Sequence, residues 1–511
     1  MTSHIWTAAL AAAAALVAGT ALAGGGPVVH VAEGDVAGQV QGDVESFKGI
    51  PFAAPPVGDL RWRAPTPAPA WTGVRDASNF GPACLQAARQ GLTMSEDCLT
   101  LNVWTPATRP AGAKLPVMVW IYGGAFIEGA SAFPIYDGTQ FAERGVVLVS
   151  FNYRLGRAGF FAHPALDKGD GPVADYGLMD QIAALKWVQA NIAAFGGDPA
   201  SVTIFGESAG GMSVNYLLAS PAARGLFARA IAQSGFPRSN GLLLNGAGEQ
   251  LGARFAQDHG VSGDDAAAAK ALRALPPDVI NAPYAGIGGA DTPGVVIDGK
   301  LVPETIAEAF AKGDQAHVPL MIGGNSYEAS LFPLVIRYPD AVLGRVGRDR
   351  AEALYSGEDA TQMSVDVTTD RQITEPNRYL ARRMAAVGEP VFVYHFSYVP
   401  AAERVGSRGA PHGGEVAYVF DTLPSTPMTY AGRAYPAAEP EDRKLSESMI
   451  AYWVAFAKTG DPDSAGGPAW PRYSTSSDQI LEFGVDGLNV RQNFEKDRLD
   501  WLESIAAEPE R

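Results

Sequence analysis

The chain has 511 residues, with 39 Lys and Arg against 55 Asp and Glu, a formal charge of -16 at pH 7, 47% hydrophobic residues and only 2 cysteines. So acidic a chain repels phosphate backbones and anionic headgroups at long range, and no basic stripe interleaved with aromatics reverses this locally, which excludes nucleic-acid binding. By size alone the length would allow about two to four domains, but one large α/β unit with long insertions fits it equally.

Residues 1–23 carry no Asp, Glu, Lys or Arg, hold an Ala/Leu/Val run from Thr7 to Leu22 and end in Ala21-Leu22-Ala23. The run is shorter than the ~20 residues that span a bilayer, and the small-x-small ending suits signal peptidase. We read a cleaved secretory signal and a mature chain of residues 24–511. The n-region lacks Lys and Arg, so a retained N-terminal anchor is the alternative. Export to the periplasm or beyond would oxidise Cys84 and Cys98, which are expected to form a disulfide; two unrelated buried thiols are the other reading. A zinc site is excluded because no His stands near to complete the shell.

From Lys114 onward, short apolar runs alternate with amphipathic stretches, the pattern of a mostly parallel sheet covered by helices. The runs Pro116–Tyr122, Val146–Phe151, Ser201–Phe205, Val318–Ile322 and Val391–Phe396 predict strands. Leu178, Ile182, Leu185, Val188 and Ile192 recur at helical spacing, with Asp175 placed to cap the start and Gly196-Gly197 to end the element. Lys444–Lys458 predicts a late helix. The connections between these elements are long and rich in Gly and Pro, as loops that carry a site often are.

Gly206-Glu207-Ser208-Ala209-Gly210 follows a predicted strand at once and opens a stretch that can be helical, the context a G-x-S-x-G nucleophile requires. A serine hydroxyl attacks well only when it projects beside a base, and a tight strand-to-helix turn projects it. The new helix turns its N-terminal amides toward the same place, so Ala209 N–H is expected to help hold an oxyanion. Two further donors are expected from Gly124 and Ala125, in the glycine loop that ends the Pro116–Tyr122 strand.

The base and acid follow by elimination. In the chain order Ser, acid, His, only His259, His317, His395 and His412 are eligible. His395 sits inside a strand, His317 precedes one next to Pro319, and His259 lies in a helical stretch before any good acid. His412 stands in Gly409-Ala410-Pro411-His412-Gly413-Gly414-Glu415, a loop that can carry an imidazole over the sheet edge. Its neighbours Gly413-Gly414 argue against a metal-binding helical turn with Glu415, which reads as a supporting or surface residue. Glu328 is the chosen acid because it follows the Val318–Ile322 strand closely, with Asp291, Asp298 and Asp340 as competitors and an exposed loop carboxylate as the other reading. It would fix the imidazole tautomer and stabilise the imidazolium.

With these residues in place the chain resembles the type B carboxylesterases, the family of the bacterial para-nitrobenzyl esterases and the cholinesterases. The likeness runs through Phe47–Ala53, Ser95–Val103, Trp120–Phe126, Asn152–Gly156, Tyr176–Gln181, Phe195–Pro199, Phe205–Gly211, Gln233–Gly235 and Thr459–Pro462. It implies an α/β-hydrolase fold over residues 24–511, a central mostly parallel sheet flanked by helices, with long insertions around an active-site gorge. It further implies a Ser208/Glu328/His412 triad, an oxyanion hole from Gly124, Ala125 and Ala209, and a Cys84–Cys98 disulfide. Two positions depart from the family pattern, Ala125 and Ala329, where glycine is common. The segment between Cys84 and Cys98 holds no aromatic, so choline esters are not expected.

The sequence therefore predicts a secreted or periplasmic serine carboxylesterase acting on a small-molecule ester through an acyl-enzyme, with no cofactor, no metal and no stable membrane insertion after signal cleavage. The rival readings are a non-catalytic binding protein of the same fold, an amidase or carbamate hydrolase, and a lipase. Glu207, beside the nucleophile, is left open between tuning the pocket and a structural hydrogen bond.

Overall fold

A computed structural model of the chain describes residues 26–87, 91–168, 171, 173–238, 242–282, 294–424, 428–430 and 433–506. The expected signal at 1–23 and the competitor Asp291 lie outside these residues.

Among the described residues the central sheet has eleven strands. In chain order they are β1 (Gln39–Gln41), β2 (Val44–Pro51), β3 (Thr100–Pro106), β4 (Leu115–Ile121), β5 (Val147–Phe151), β6 (Gly197–Glu207), β7 (Arg229–Gln233), β8 (Leu320–Asn325), β9 (Val391–Phe396), β10 (Ile480–Gly484) and β11 (Gly487–Arg491). Their order across the sheet is β11-β10-β9-β8-β7-β6-β4-β5-β3-β2-β1. From β5 through β10 all neighbours pair parallel, while β1, β2, β3 and β11 are added antiparallel at the two edges. Strands in the parallel centre are covered on both faces, which is why β4 and β5 read as unbroken apolar runs. Val117, Met118, Val119, Trp120 and Ile121 are all buried.

Six helices position the site or brace the elements that carry it: α1 (Tyr176–Asn191), α2 (Ala209–Ala219), α3 (Glu375–Ala386), α4 (Val416–Phe420), α5 (Pro440–Thr459) and α6 (Lys496–Ala506). α1 buries the predicted stripe of Leu178, Ile182, Leu185 and Val188, passes through a 3-10 turn at Ile192–Phe195, and stops at Gly196 with φ of 83°. The cap differs from expectation. Asp175 occupies the capping position and its carbonyl accepts from Met179 N–H at 3.0 Å, but its side chain makes no cap bond, because its Oδ1 accepts from Val296 N–H at 2.9 Å. The carboxylate thus serves a buried strand amide and not the helix end.

Aromatic rings fill the layer between sheet and helices: Trp120 meets Phe205 at 4.8 Å and Phe420 at 4.9 Å between ring centroids, and Tyr394 meets Trp453 at 5.4 Å. Cys84 and Cys98 form a disulfide across a separation of 14 residues. Among the described residues no helix is long and apolar enough to cross a membrane.

Candidate active site

β6 ends at Glu207 and α2 begins at Ala209, leaving Ser208 alone in the turn with φ of 59° and ψ of -123°. A non-glycine residue there is strained by an order of 1–3 kcal/mol and must be held by its surroundings. Ser208 N–H donates to Gln233 O at 2.9 Å, and Met212 N–H donates to Ser208 O at 2.7 Å. Glycine at 210 is dictated by space: a Cβ would lie 1.9 Å from Ile121 O. The loop after β4 lies against this turn, since a Cβ on Gly123 would stand 2.9 Å from the Ser208 Cβ. Gly124, Ala125 and Phe126 all have positive φ, at 109°, 54° and 60°. Gly124 O accepts from both Ile127 and Glu128 N–H at 3.0 Å, whereas among the described residues the Gly124 and Ala125 N–H groups find no acceptor. Ala209, first in α2, has no intrahelical acceptor either. Three free amides therefore belong to the segments that meet at Ser208.

Glu328 opens a 3-10 turn just beyond β8 and is completely buried. Its Oε1 accepts from Ser234 Oγ–H at 2.5 Å and Asn325 N–H at 2.7 Å, and its Oε2 is hydrogen-bonded to His412 Nδ1. His412 is further fixed by its own N–H, which donates to Ser330 Oγ at 3.0 Å, and by the Phe236 ring at 5.8 Å. Ala329, where the family favours glycine, sits in the 3-10 turn without positive φ, and its N–H donates to Thr369 Oγ1, so alanine leaves Glu328 in place.

The competing residues are engaged elsewhere. His259 Nδ1 bonds Phe255 O and His317 Nε2 bonds Gly313 O, both within their own segments. His395 packs against Phe494 with ring centroids 4.8 Å apart, and burial lowers it to about pKa 4. Asp298 accepts from Val173, Lys300 and Val302 N–H, and Asp340 is an exposed partner of Arg348.

Comparison with known proteins gives this arrangement a family. The Carboxylesterase family profile matches residues 25–356 and 349–502. The chain belongs to the carboxylesterase family. Fumonisin B1 esterase of Sphingopyxis macrogoltabida is 39% identical over 488 residues, spanning 91% of this chain and 88% of that protein. Mouse carboxylesterase 1E is 32% identical over 97% of both chains. Among solved structures, a carboxylesterase of Geobacillus stearothermophilus aligns with a TM-score of 0.80 at 33% identity over 92% of this chain and 99% of that one. A PNB esterase aligns at 0.79 and 32%, over 93% and 99%. The fold is the α/β-hydrolase fold and the activity is carboxylic-ester hydrolysis.

Two residues of this carboxylesterase escape a reading by spacing. Ser234, in the turn after β7, reaches Glu328 from a neighbouring strand; its string Gln233-Ser234-Gly235 was visible, but nothing local says where the hydroxyl points. Glu415 is the second. It is not on the surface: it is fully buried, with Oε1 accepting from Gln233 Nε2 at 3.0 Å and Oε2 from Asn325 Nδ2 at 2.6 Å. Gln233 in turn accepts from Trp453 Nε1 at 3.1 Å. Burial pushes the Glu415 carboxyl up, and Glu328 nearby adds to it.

Glu207 faces the other side of the imidazole. Its Oε1 lies 3.1 Å from His412 Nε2, but in an orientation that makes no hydrogen bond for either atom. Burial pushes Glu207 up to about 8. For His412 burial acts downward, but Glu207 and Glu328 outweigh it and hold the ring at about 9. The two titrations are linked: a proton on Glu207 removes the largest charge that raises His412 and lets its pKa fall.

Proposed function

We propose that Ser208 is the nucleophile of this esterase, His412 its general base and acid, and Glu328 the group that orients the ring. The observation that carries this is the bond of His412 Nδ1 to the buried Glu328, which leaves Nε2 without a hydrogen bond beside Glu207, the residue before Ser208. His412 Nε2 takes the proton from Ser208 Oγ as it attacks the ester carbonyl. The N–H groups of Gly124, Ala125 and Ala209 hold the resulting oxyanion. His412 then gives its proton to the departing alcohol, the acyl group stays on Ser208, and a water activated by the same nitrogen releases the acid.

Residues 24–511 are read as one catalytic domain, exported under the direction of residues 1–23. The Cys84–Cys98 disulfide supports an oxidising destination, periplasmic or extracellular. The substrate is a small-molecule ester; because a relative is named for fumonisin B1, that compound belongs beside p-nitrophenyl esters in a first panel.

Fluorophosphonate labelling followed by peptide mass spectrometry tests the assignment. The adduct is expected on Ser208, and Ser208→Ala is expected to lose turnover by a factor on the order of 10⁶. A Ser208→Ala variant that keeps most of its rate would overturn the nucleophile.

A further inference from the structure

The loop that supplies two of the three oxyanion amides is held within itself by the turn bonds of Ile127 and Glu128 N–H to Gly124 O. Ser208 is fixed between a strand and a helix, whereas residues 123–129 lie outside both, with Gly124, Ala125, Phe126 and Gly129 at positive φ. An amide misplaced by about 1 Å can cost on the order of 10² in rate, so some contact must fix this loop.

Two contacts do so from outside the loop: Gly156 N–H donates to Phe126 O at 2.7 Å in its middle, and one side chain holds its end. Gln86 Nε2–H donates to Gly129 O at 2.7 Å, and Gln86 Oε1 accepts from Gly129 N–H at 3.0 Å, so a single amide binds both polar groups of one residue as a paired strand would. Its second N–H donates to Cys84 O at 3.1 Å, and the side chain is only 2% exposed. Gly129 is where the loop returns on itself: a Cβ there would lie 2.4 Å from the Tyr122 ring and 2.7 Å from Gly123 O. Holding Gly129 therefore holds the start of the loop as well as its end. Gln86 is itself anchored, two residues from the disulfide, with its carbonyl accepting from Asn281 Nδ2 at 2.6 Å. The base of that segment is tied by Ala83 N–H to Thr93 O and Ser95 N–H to Ala83 O, both at 2.9 Å.

We infer that Gln86 is a positioning residue for the oxyanion hole, clamping Gly129 so that the Gly124 and Ala125 amides stay aimed at the reacting carbonyl, with the Cys84–Cys98 disulfide as its footing. This rests on the reading of Gly124 and Ala125 as oxyanion donors. A side chain that acts on those amides alone affects the transition state and spares ground-state binding.

Gln86→Met keeps the length of the side chain and removes all three of its hydrogen bonds, the one to Cys84 O included; Gln86→Glu keeps the acceptor for Gly129 N–H and sets an oxygen against Gly129 O. Each variant is assayed with a p-nitrophenyl ester, with a trifluoromethyl ketone that forms an oxyanion on the nucleophile, and with the corresponding secondary alcohol that cannot. We expect kcat to fall about 10- to 100-fold with KM within about threefold, ketone affinity to fall by the same factor as kcat/KM, and alcohol affinity to hold. A kcat within twofold of the parent in either folded variant overturns the inference, as does a parallel loss of ketone and alcohol affinity, which would mark a general loosening. Should Gln86→Met fail to fold, the near-isosteric Gln86→Glu carries the test. Fluorophosphonate labelling of the parent is done first: no adduct on Ser208 removes the triad reading and this inference together, whereas an adduct with a kcat indifferent to Gln86 removes this inference alone.

Discussion

Glu207 Oε1 stands 3.1 Å from His412 Nε2, so the imidazole has a carboxyl group on each side, with Glu328 on Nδ1. An anion there stabilises the imidazolium and opposes its work as a base; a neutral acid does not. With His412 as the proposed base, the acid limb of kcat/KM reports loss of its proton in the free enzyme. Glu207→Gln removes the negative charge permanently, so the imidazolium loses a stabilising partner and its pKa falls. The acid limb is expected to move to lower pH by about one to two units, with the rate on the plateau much less affected. A limb that stays in place in the variant would show that Glu207 carries no charge toward the ring at the pH of the limb.

Ser234 and Asn325 both spend a donor on Glu328 Oε1, and only Ser234 can be removed without touching the backbone. Ser234→Ala leaves a buried carboxylate short of one charge-assisted bond, worth about 1.5–3 kcal/mol. If that bond fixes Glu328 against His412, kcat falls about tenfold with KM unchanged. Glu328→Gln is the stronger lesion, because an amide can hold the wrong tautomer, and should cost on the order of 10³–10⁴ in kcat. The pair is measured together: a Ser234→Ala loss confined to thermal stability would make the serine a packing residue only.

Far from the site, Arg378 ties α3 to the C-terminal segment. It pairs with Asp478 at 2.7 Å and Asp500 at 2.5 Å while only 4% exposed. Arg378→Met strands the buried Asp478 with the more distant Arg382 as its cation, a loss of about 3 kcal/mol that thermal melting at neutral pH should detect. The sign in the parent follows from Asp478: burial acts to raise it, but the hydrogen bonds of Arg378 and Tyr473 hold it below the ordinary range. Its stabilising contribution is therefore present above about pH 4 and lost as pH falls through the lowered value. Arg378→Met should flatten that acid loss.

Most of the parallel sheet was legible because central strands are buried on both faces and must be apolar throughout, and β9 was predicted over the residues it occupies. Boundaries slipped where polar residues continue a strand: β6 runs from Gly197 to Glu207, beyond the apolar Ser201–Phe205. The pairing of Glu328 with His412 could be reached by elimination because chain order and strand ends restrict the choices. Gln86, Ser234 and Glu415 could not. Each acts on a segment distant in sequence, Gln86 on Gly129, Ser234 on Glu328, Glu415 on Gln233, and a polar residue in a loop carries no local sign of burial. Asp175 shows the converse: local spacing pointed to a helix cap, and a tertiary partner at Val296 took the side chain instead.

Two glycines with opposite surroundings test whether the turn at Ser208 is held by space. A Cβ on Gly210 would meet Ile121 O at 1.9 Å, Ile121 C at 2.8 Å and Tyr122 C at 3.0 Å, all backbone of β4 or the residue after it. None can move without shifting the loop that begins at Gly123, so Gly210→Ala must push α2 away from β4. That displaces Ala209 N–H and Ser208 together. Gly344 stands on the exposed face of the helix Pro339–Val346, with nothing within 4 Å of a Cβ and no positive φ. There alanine only removes unfolded-state freedom and should stabilise by about 0.4–1 kcal/mol. Gly210→Ala is expected to be inactive and unlabelled by fluorophosphonate, either unfolded or folded with a misplaced turn, while Gly344→Ala melts slightly higher at unchanged kcat. A labelled, active Gly210→Ala would mean that α2 and β4 yield to one another, and that the strain at Ser208 is held by its hydrogen bonds to Gln233 and Met212 instead.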